Sequence, residues 1–290
     1  MYKNDLLTKK IIVLGGSGFL GSAIIEGLFD AGYEDITCGD IVNNESLNSK
    51  YVPIDLLDLN SATKVLSDFD LMINCIGQVS SPFNLCFELN VTGISNLAQV
   101  LSHQSTRVIH ISSVSVYGSG GLCNEESRLN PETNYATAKA FAERILARQI
   151  NPDNLSILRL SNLYGVTQGK GIIAYLMRAF HADRHLKFNN AGDLLRYYLH
   201  IDDCVTAIVK MVGDDSLSGI YNVIGEAKYT VKELISLIEK RFNMEYRTEF
   251  MQVSPWENVE DLSANNFMVE KVTQYSSLLG ASYPKLCKPA

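Results

Sequence analysis

The chain has 290 residues, a net charge of −7 and 46% hydrophobic residues, so it can bury a sizeable core in one large or two small domains and is not of disordered composition. The acidic balance, with no Lys/Arg cluster against it, excludes a nucleic-acid-binding surface. No apolar run reaches the ~18 residues of a membrane span, so no membrane partner is expected. The N-terminus carries no signal-peptide pattern. The six cysteines (38, 75, 86, 123, 204, 287) lie far apart with no CxxC pair. They read as reduced positions in a cytoplasmic protein, and neither they nor the five histidines have metal-ligand spacing, so no metal is expected.

Lys10-Ile11-Ile12-Val13 reads as a buried parallel strand, and residues 22–29 read as a helix. Between them lies Leu14-Gly15-Gly16-Ser17-Gly18-Phe19-Leu20-Gly21. A Gly-rich turn between strand and helix brings backbone N–H groups and a helix N-terminus up to a phosphate. Gly15 permits the tight turn, Gly18 has no side chain to hold a pyrophosphate away, and Gly21 permits close packing of helix on strand. Phe19 and Leu20 belong to the same candidate cofactor contact. A second strand, residues 35–40, ends in Asp40, 19 residues beyond Gly21 and where a ribose-binding carboxylate is expected. Asp40 would repel a 2′-phosphate, so the expected dinucleotide is NAD, with NADP disfavoured.

A third strand is expected over 51–56, a helix over 61–67, a fourth strand over 70–75 and a helix over 90–102. Residues 107–113 form a fifth strand ending in Ser112-Ser113. A helix over 134–148 and a sixth strand over 155–160 follow. Strands that alternate with helices predict an α/β fold with a doubly wound parallel sheet of the Rossmann type, whose ligands bind beyond the carboxyl ends of the strands. Gly15, Asp40, Asn74 and Ser113 all stand at such ends and should line one rim. His110 reads as a satisfied core residue. Beyond 165 the pattern changes. Helices are expected over 171–181 and 201–212, with irregular chain over 186–198. Asp202 and Asp203 read as helix-cap residues. A strand is expected over 219–223, and a helix opens at Thr230 with Glu233 completing a capping box. The expected division is a dinucleotide-binding domain over 1–165, with return segments near 197–224, and a smaller C-terminal substrate-binding domain from 166–196 and 225–290.

Tyr135 and Lys139 stand at i and i+4, on one face of a helix. An ammonium beside the phenol, with a cationic nicotinamide, would favour the phenolate and bring it towards the working range of a base. Ser113 at its strand end could hold a substrate hydroxyl against that oxygen.

GGSGFLG (15–21), Asp40, Asp55-Leu56, Asn90-Val91-Thr92-Gly93, SSVSVYG (112–118), YATAK (135–139), RLSNLYG (159–165), RYYLHIDD (196–203) and YNV (221–223) occur in one order. With these motifs the chain resembles the extended short-chain dehydrogenase/reductases, in the nucleotide-sugar epimerase/dehydratase branch typified by UDP-glucose 4-epimerase. The resemblance implies a catalytic triad of Ser113, Tyr135 and Lys139, with Tyr135 and Lys139 also at the cofactor. It implies Asp55 and Leu56 near the adenine and Asn90 near the cofactor. It implies Asn162 and Arg196 on the diphosphate of a nucleoside-diphosphate sugar, as amide donors and an Arg fork would suit. It further implies a homodimer through the helices near 90–102 and 135–148. The chain departs from the family at Ile76-Gly77, usually two alanines, at Tyr197, usually Asp, and at Val166, commonly Pro. The 4,6-dehydratases carry Thr-Asp-Glu where this chain has Ser112-Ser113-Val114, so no acid is placed to protonate a leaving hydroxyl. The expected activity is NAD-dependent epimerisation at C4 of a nucleoside-diphosphate sugar. A 4-ketoreductase using NAD(P)H and a non-catalytic cofactor sensor are the alternatives.

Overall fold

The computed structural model of the protein describes residues 8–77, 82–188, 191–226, 228–250 and 259–262. Seven strands form one parallel sheet: β1 (Ile11–Leu14), β2 (Ile36–Asp40), β3 (Lys50–Pro53), β4 (Leu71–Asn74), β5 (Arg107–Ser113), β7 (Leu155–Leu160) and β11 (Gly219–Val223). Their spatial order is β11-β7-β5-β4-β1-β2-β3, so the winding direction reverses between β1 and β4. That reversal opens a crevice at the carboxyl ends of the strands.

The short apolar runs divide by the strand period of two. Ile11, Val13, Ile109 and Ile111 face one way, with Leu20, Ile24 and Leu28 of α1 (Phe19–Asp30) and Cys204, Ala207 and Met211 of α7 (Ile201–Val212). Ile12, Leu14, Met72 and Val108 face the other, with Leu97 and Ala98 of α4 (Ile94–Leu101) and Ala142 and Leu146 of α5 (Asn134–Gln149). The sheet is therefore covered on both faces, as its continuous hydrophobicity requires.

The strand expected over 51–56 is shorter and starts earlier, at Lys50–Pro53. The following helix, α2, is Leu59–Val65, capped by Asp58, which accepts from the Asn60 amide. The helix expected from residue 90 begins differently. A short helix α3 (Phe83–Phe87) runs into a π-helical turn, Glu88–Gly93, before α4. Residues 186–198 are not irregular throughout: 186–188 lie in β9 (His185–Phe188) and 196–198 in β10 (Arg196–His200). Their few large apolar side chains conceal the strands, because the partners are short and distant in sequence. β10 pairs with β8 (Asn162–Tyr164) and with β12 (Lys228–Tyr229), and β9 pairs with β13 (Arg247–Phe250).

A third apolar centre joins Tyr164, Leu176 of α6 (Ile172–His181), Leu186, Tyr198 and Leu234, Ile235 and Ile238 of α8 (Val231–Phe242). The capping box at α8 forms as its sequence requires, with Thr230 Oγ1 accepting from the Glu233 amide at 3.1 Å and Glu233 accepting from the Thr230 amide at 2.7 Å. At α7 the N-cap is His200, whose Nδ1 accepts from the Asp202 amide, so Asp202 and Asp203 are first-turn residues and not the cap. Beyond β13, β14 (Val259–Leu262) pairs with β6 (Gly120–Cys123). Cys287 lies outside the described residues.

Candidate active site

β1 ends in a turn whose first glycine, Gly15, has φ +73°, where an L side chain is strained. Its amide donates to the Gly39 carbonyl at 2.8 Å, tying the turn to β2. A Cβ on Gly21 would collide with the Gly15 carbonyl oxygen, so this glycine lets the helix approach the turn itself and not the strand. Gly18 caps α1 without any side-chain bond, and the first turn of the helix holds no acid. The uncapped amides and the positive end of the helix dipole therefore face whatever the turn cradles.

A cavity of about 1140 Å³ lies over this turn. It brings together Gly15, Gly18, Phe19, Leu20 and Gly21 with Ser113, Tyr135, Asn162 and Arg196, positions spread over more than half the chain. Lys170 and Arg196 are cations of its wall, and Glu132 stands on the wall three residues before Tyr135. The donor set, an uncapped helix start on a glycine cradle with an acid at the end of β2, fits a dinucleotide diphosphate and ribose.

Besides Lys139, five further candidates do not line this cavity. Asp40 accepts from the Ser17 amide at 3.1 Å through Oδ2 and from the Val42 amide at 3.3 Å through Oδ1, which places it directly behind the glycine turn. Asp55 is exposed and accepts from the Leu57 amide at 2.9 Å. Leu56 is buried, and its carbonyl accepts from Asn96 Nδ2 at 2.8 Å. Asn74 does not stand on the rim with Gly15 and Ser113: it is fully buried, donating from Nδ2 to His110 Nδ1 at 3.1 Å and accepting from the Ile76 amide at 3.0 Å. Asn90, also fully buried, donates to the carbonyls of Gly77 and Cys86 at 3.0 and 2.9 Å. These two amides brace the Ile76-Gly77 segment from below. His110 is only half satisfied, because its Nε2 has no hydrogen-bond partner among the described residues. Burial and the neighbouring Lys139 hold it neutral, well below its usual range.

The reactive side chains come from β5 and α5. Thr133, two residues before Tyr135, caps α5, its hydroxyl accepting from the Ala136 amide at 3.1 Å, and so sets where the helix begins. Lys139 is fully buried and lies behind the cavity wall, donating from Nζ to the Ile111 carbonyl at 3.0 Å. Burial brings its ammonium down to about 7, while Cys75, Glu143 and Cys86 oppose that change. Tyr135 does not behave as the i, i+4 spacing suggests. Burial first, then Cys86, pushes the phenol above its ordinary value. A cationic ligand in the cavity would have to reverse that for the phenolate to form. Ser113 ends β5, and its Oγ accepts from the Ser115 amide at 3.2 Å and the Ser115 hydroxyl at 2.9 Å. As acceptor in both, it keeps its own hydroxyl hydrogen for donation. Ser112, by contrast, is buried and donates to Glu143 Oε1 at 2.5 Å, so its hydroxyl hydrogen is already committed where that of Ser113 is not.

On the opposite wall, Asn162 Nδ2 donates to the Tyr197 carbonyl at 3.1 Å, which locks β8 to β10 beside Arg196. The sequence reading assigned no role to Glu143, Arg159, Tyr117 or Asn222, which form one buried polar network behind the triad. The available signals were Glu143, one turn after Lys139, and an arginine inside the mostly apolar β7.

Comparisons with known proteins agree with this arrangement. Over 239 residues the chain is 27% identical to ADP-L-glycero-D-manno-heptose-6-epimerase of Brachyspira hyodysenteriae, covering 73% of this chain and 74% of that protein. It is 27% identical over 257 residues to UDP-glucose 4-epimerase of Mycolicibacterium smegmatis, covering 79% and 81%. Among solved structures, DesIV, the dTDP-glucose 4,6-dehydratase of Streptomyces venezuelae with NAD and TYD bound, superposes with TM-score 0.84 at 20% identity over 95% of each chain. UDP-glucuronic acid 4-epimerase from Bacillus cereus superposes with TM-score 0.80 at 22% identity, covering 95% and 98%. At these identities the superpositions speak to the fold. The model of the NAD dependent epimerase/dehydratase family matches residues 11–223, a span that holds the glycine turn, the Ser113, Tyr135 and Lys139 set and both cavity walls, and the chain belongs to that family.

Proposed function

We propose that the protein is an NAD-dependent epimerase acting at C4 of a nucleoside-diphosphate sugar, by transient oxidation to a 4-keto intermediate. The observation that carries the reading is the single cavity that holds the glycine turn, Ser113 and Tyr135 on one side and Asn162 and Arg196 on the other. NAD, when bound, supplies the hydride acceptor and donor. Gly15, Gly18 and Gly21 with the α1 amides would hold its diphosphate and Asp40 its ribose. Tyr135 takes the proton of the C4 hydroxyl and later returns one to the keto oxygen. Ser113 donates to the same oxygen and fixes it against the phenol. Lys139, behind the wall, supplies the positive charge that favours the phenolate. Arg196 and Asn162 bind the sugar-nucleotide diphosphate, leaving the sugar to present either face. The third apolar centre, around α6 and α8, belongs to a substrate-binding unit that closes the cavity. The relatives that share this chemistry include UDP-glucose 4-epimerase, and a solved relative at 22% identity is described with UDP-glucuronic acid and NAD. The absence of a Thr-Asp-Glu strand end weighs against dehydration.

The working form in this reading is a cytoplasmic homodimer. Phe83, Phe87 and Phe141 are each 49% exposed on α3 and α5, a density of apolar surface that suits a second copy. Among the described residues no helix is long and apolar enough to cross a membrane.

The test offers the purified protein UDP-glucose, UDP-N-acetylglucosamine, UDP-glucuronate and a nucleoside-diphosphate 4-keto-6-deoxy sugar. Interconversion of C4 epimers with no net NADH supports the reading. Stoichiometric NADH or NADPH consumption with the keto sugar, and no epimerisation, replaces it with a 4-ketoreductase.

A further inference from the structure

One residue deeper than the rim, three neighbouring strands carry polar side chains at one level. Ser112 of β5 pairs in register with Arg159 of β7, and Arg159 pairs with Asn222 of β11. All three are buried, as is Glu143 on the covering helix α5. Glu143 Oε1 accepts from Ser112 Oγ at 2.5 Å, and Oε2 accepts from Arg159 Nη2 at 2.7 Å. Arg159 Nη1 donates to the Tyr117 hydroxyl at 2.7 Å, and Tyr117 donates to Asn222 Oδ1 at 2.8 Å. The Arg159 guanidinium also lies 4.9 Å from the centre of the Tyr117 ring.

A buried ion pair is a weak source of net stability, because desolvation offsets its attraction. Its directionality can still fix which surfaces meet and in which register. Here it joins the two elements that carry the reactive groups. Ser112 is adjacent to Ser113, and Glu143 lies one helical turn beyond Lys139 and two beyond Tyr135. We propose that Glu143 is a positioning residue that clamps the end of β5 to α5 and balances the positive charge of Lys139, so that Ser113 and Tyr135 reach one substrate oxygen. The proposal rests on the reading of function above for its catalytic consequence, though not for its electrostatic one.

The groups that face Lys139 are Cys75 after β4, Cys86 on α3, His110 on β5 and Glu143 on α5, and Glu143 is itself paired with the Arg159 guanidinium of β7. Burial keeps His110 neutral and both thiols above their usual values, so Glu143 is the anion that acts on Lys139 at neutral pH. Removing the Glu143 charge therefore moves the Lys139 titration to lower pH. Removing only the Ser112 bond leaves it where it is.

Three variants test this: Glu143→Gln, Glu143→Asp and Ser112→Ala, each checked for folding by thermal melting and for NAD binding. Turnover is followed against pH, and Lys139 is titrated by NMR of isotope-labelled lysine, its signal assigned with Lys139→Arg. Ser112→Ala should lower kcat about tenfold with KM little changed and the Lys139 titration unmoved, because a displaced reactive group costs rate more than binding. Glu143→Gln should lower kcat further and carry both the Lys139 titration and the alkaline limb of the rate profile to lower pH. Glu143→Asp should restore the titration but not the full kcat. A folded Glu143→Gln with wild-type kcat and an unmoved titration overturns the proposal. Should Glu143→Gln not fold, Ser112→Ala at wild-type turnover overturns the clamp. If the wild-type protein turns over no nucleotide sugar, the reading of function fails, and the Lys139 titration in the variants still decides the proposal.

Discussion

The two walls of the cavity are built by different means. The wall that carries Ser113, Tyr135 and Lys139 rests on the centre of the seven-stranded sheet, with Lys139 bonded to the Ile111 carbonyl and the Glu143–Arg159 pair behind it. The wall that carries Asn162 and Arg196 rests on β8 and β10, strands of three and five residues that pair over three residues, with the Asn162–Tyr197 bond beside them. Groups that move a proton between fixed atoms need a rigid frame. Groups that bind a diphosphate tolerate more movement, because charge-assisted bonds fall off gradually with distance. In the proposed reading the first wall does the chemistry and the second the recognition, a contrast that can be broken by substitutions that separate turnover from binding.

The largest effect is expected at Tyr135→Phe. It should lower kcat by ~10²–10⁴-fold while NAD binding, measured by calorimetry, is retained. Full activity on the true substrate would remove the catalytic role of that wall. Arg196→Gln should act on the other side of the comparison, raising KM on the order of tenfold to a hundredfold with kcat changed less, since a hydrogen bond to a charged group contributes about 1.5–3 kcal/mol. A fall in kcat with KM unchanged would place Arg196 with the chemistry instead.

A smaller effect follows from the burial of Lys139. Its folded value lies near 7, below its ordinary value of 10.5, so between those limits the unfolded chain binds more protons than the folded one. Stability of the cofactor-free protein should therefore rise as pH climbs from about 7 towards 10, and Lys139→Met should flatten that rise. Denaturant melts of both proteins across this window check it. Equal slopes would mean that Lys139 is not held down by burial. The smallest effect on turnover is expected at Phe141→Glu on the outer face of α5, which should shift a dimer towards monomer in light scattering with KM little changed. A wild-type monomer at micromolar concentration would contradict the dimer.

The same contrast explains what could be read from the residues alone. The glycine turn, Asp40 and the Tyr135/Lys139 pair are legible because each depends on local spacing: a strand, a turn and one helix face. The sheet is legible because its strands are continuous apolar runs. The buried bonds of Asn74 and Asn90 were not legible, since nothing in a one-dimensional pattern separates an amide facing a ligand from one that accepts from a loop N–H or donates to a loop carbonyl at 3.0 Å. The strands at 185–188 and 196–200 were hidden because their partners lie far along the chain and their buried faces are short. The Ser112–Glu143–Arg159 network was hidden for the same reason, being a register relation between strands and a helix. The elevation of Tyr135 by burial depends on packing that no i, i+4 rule contains.

The most direct measurement follows a UDP-hexose carrying deuterium at C4 through the purified enzyme, with product analysed by NMR and mass spectrometry. The account predicts the C4 epimer with deuterium still at C4, no exchange with solvent and no accumulation of NADH, because the hydride removed is the hydride returned. Failure to form the epimer, or an epimer that has lost its deuterium to solvent, would contradict it.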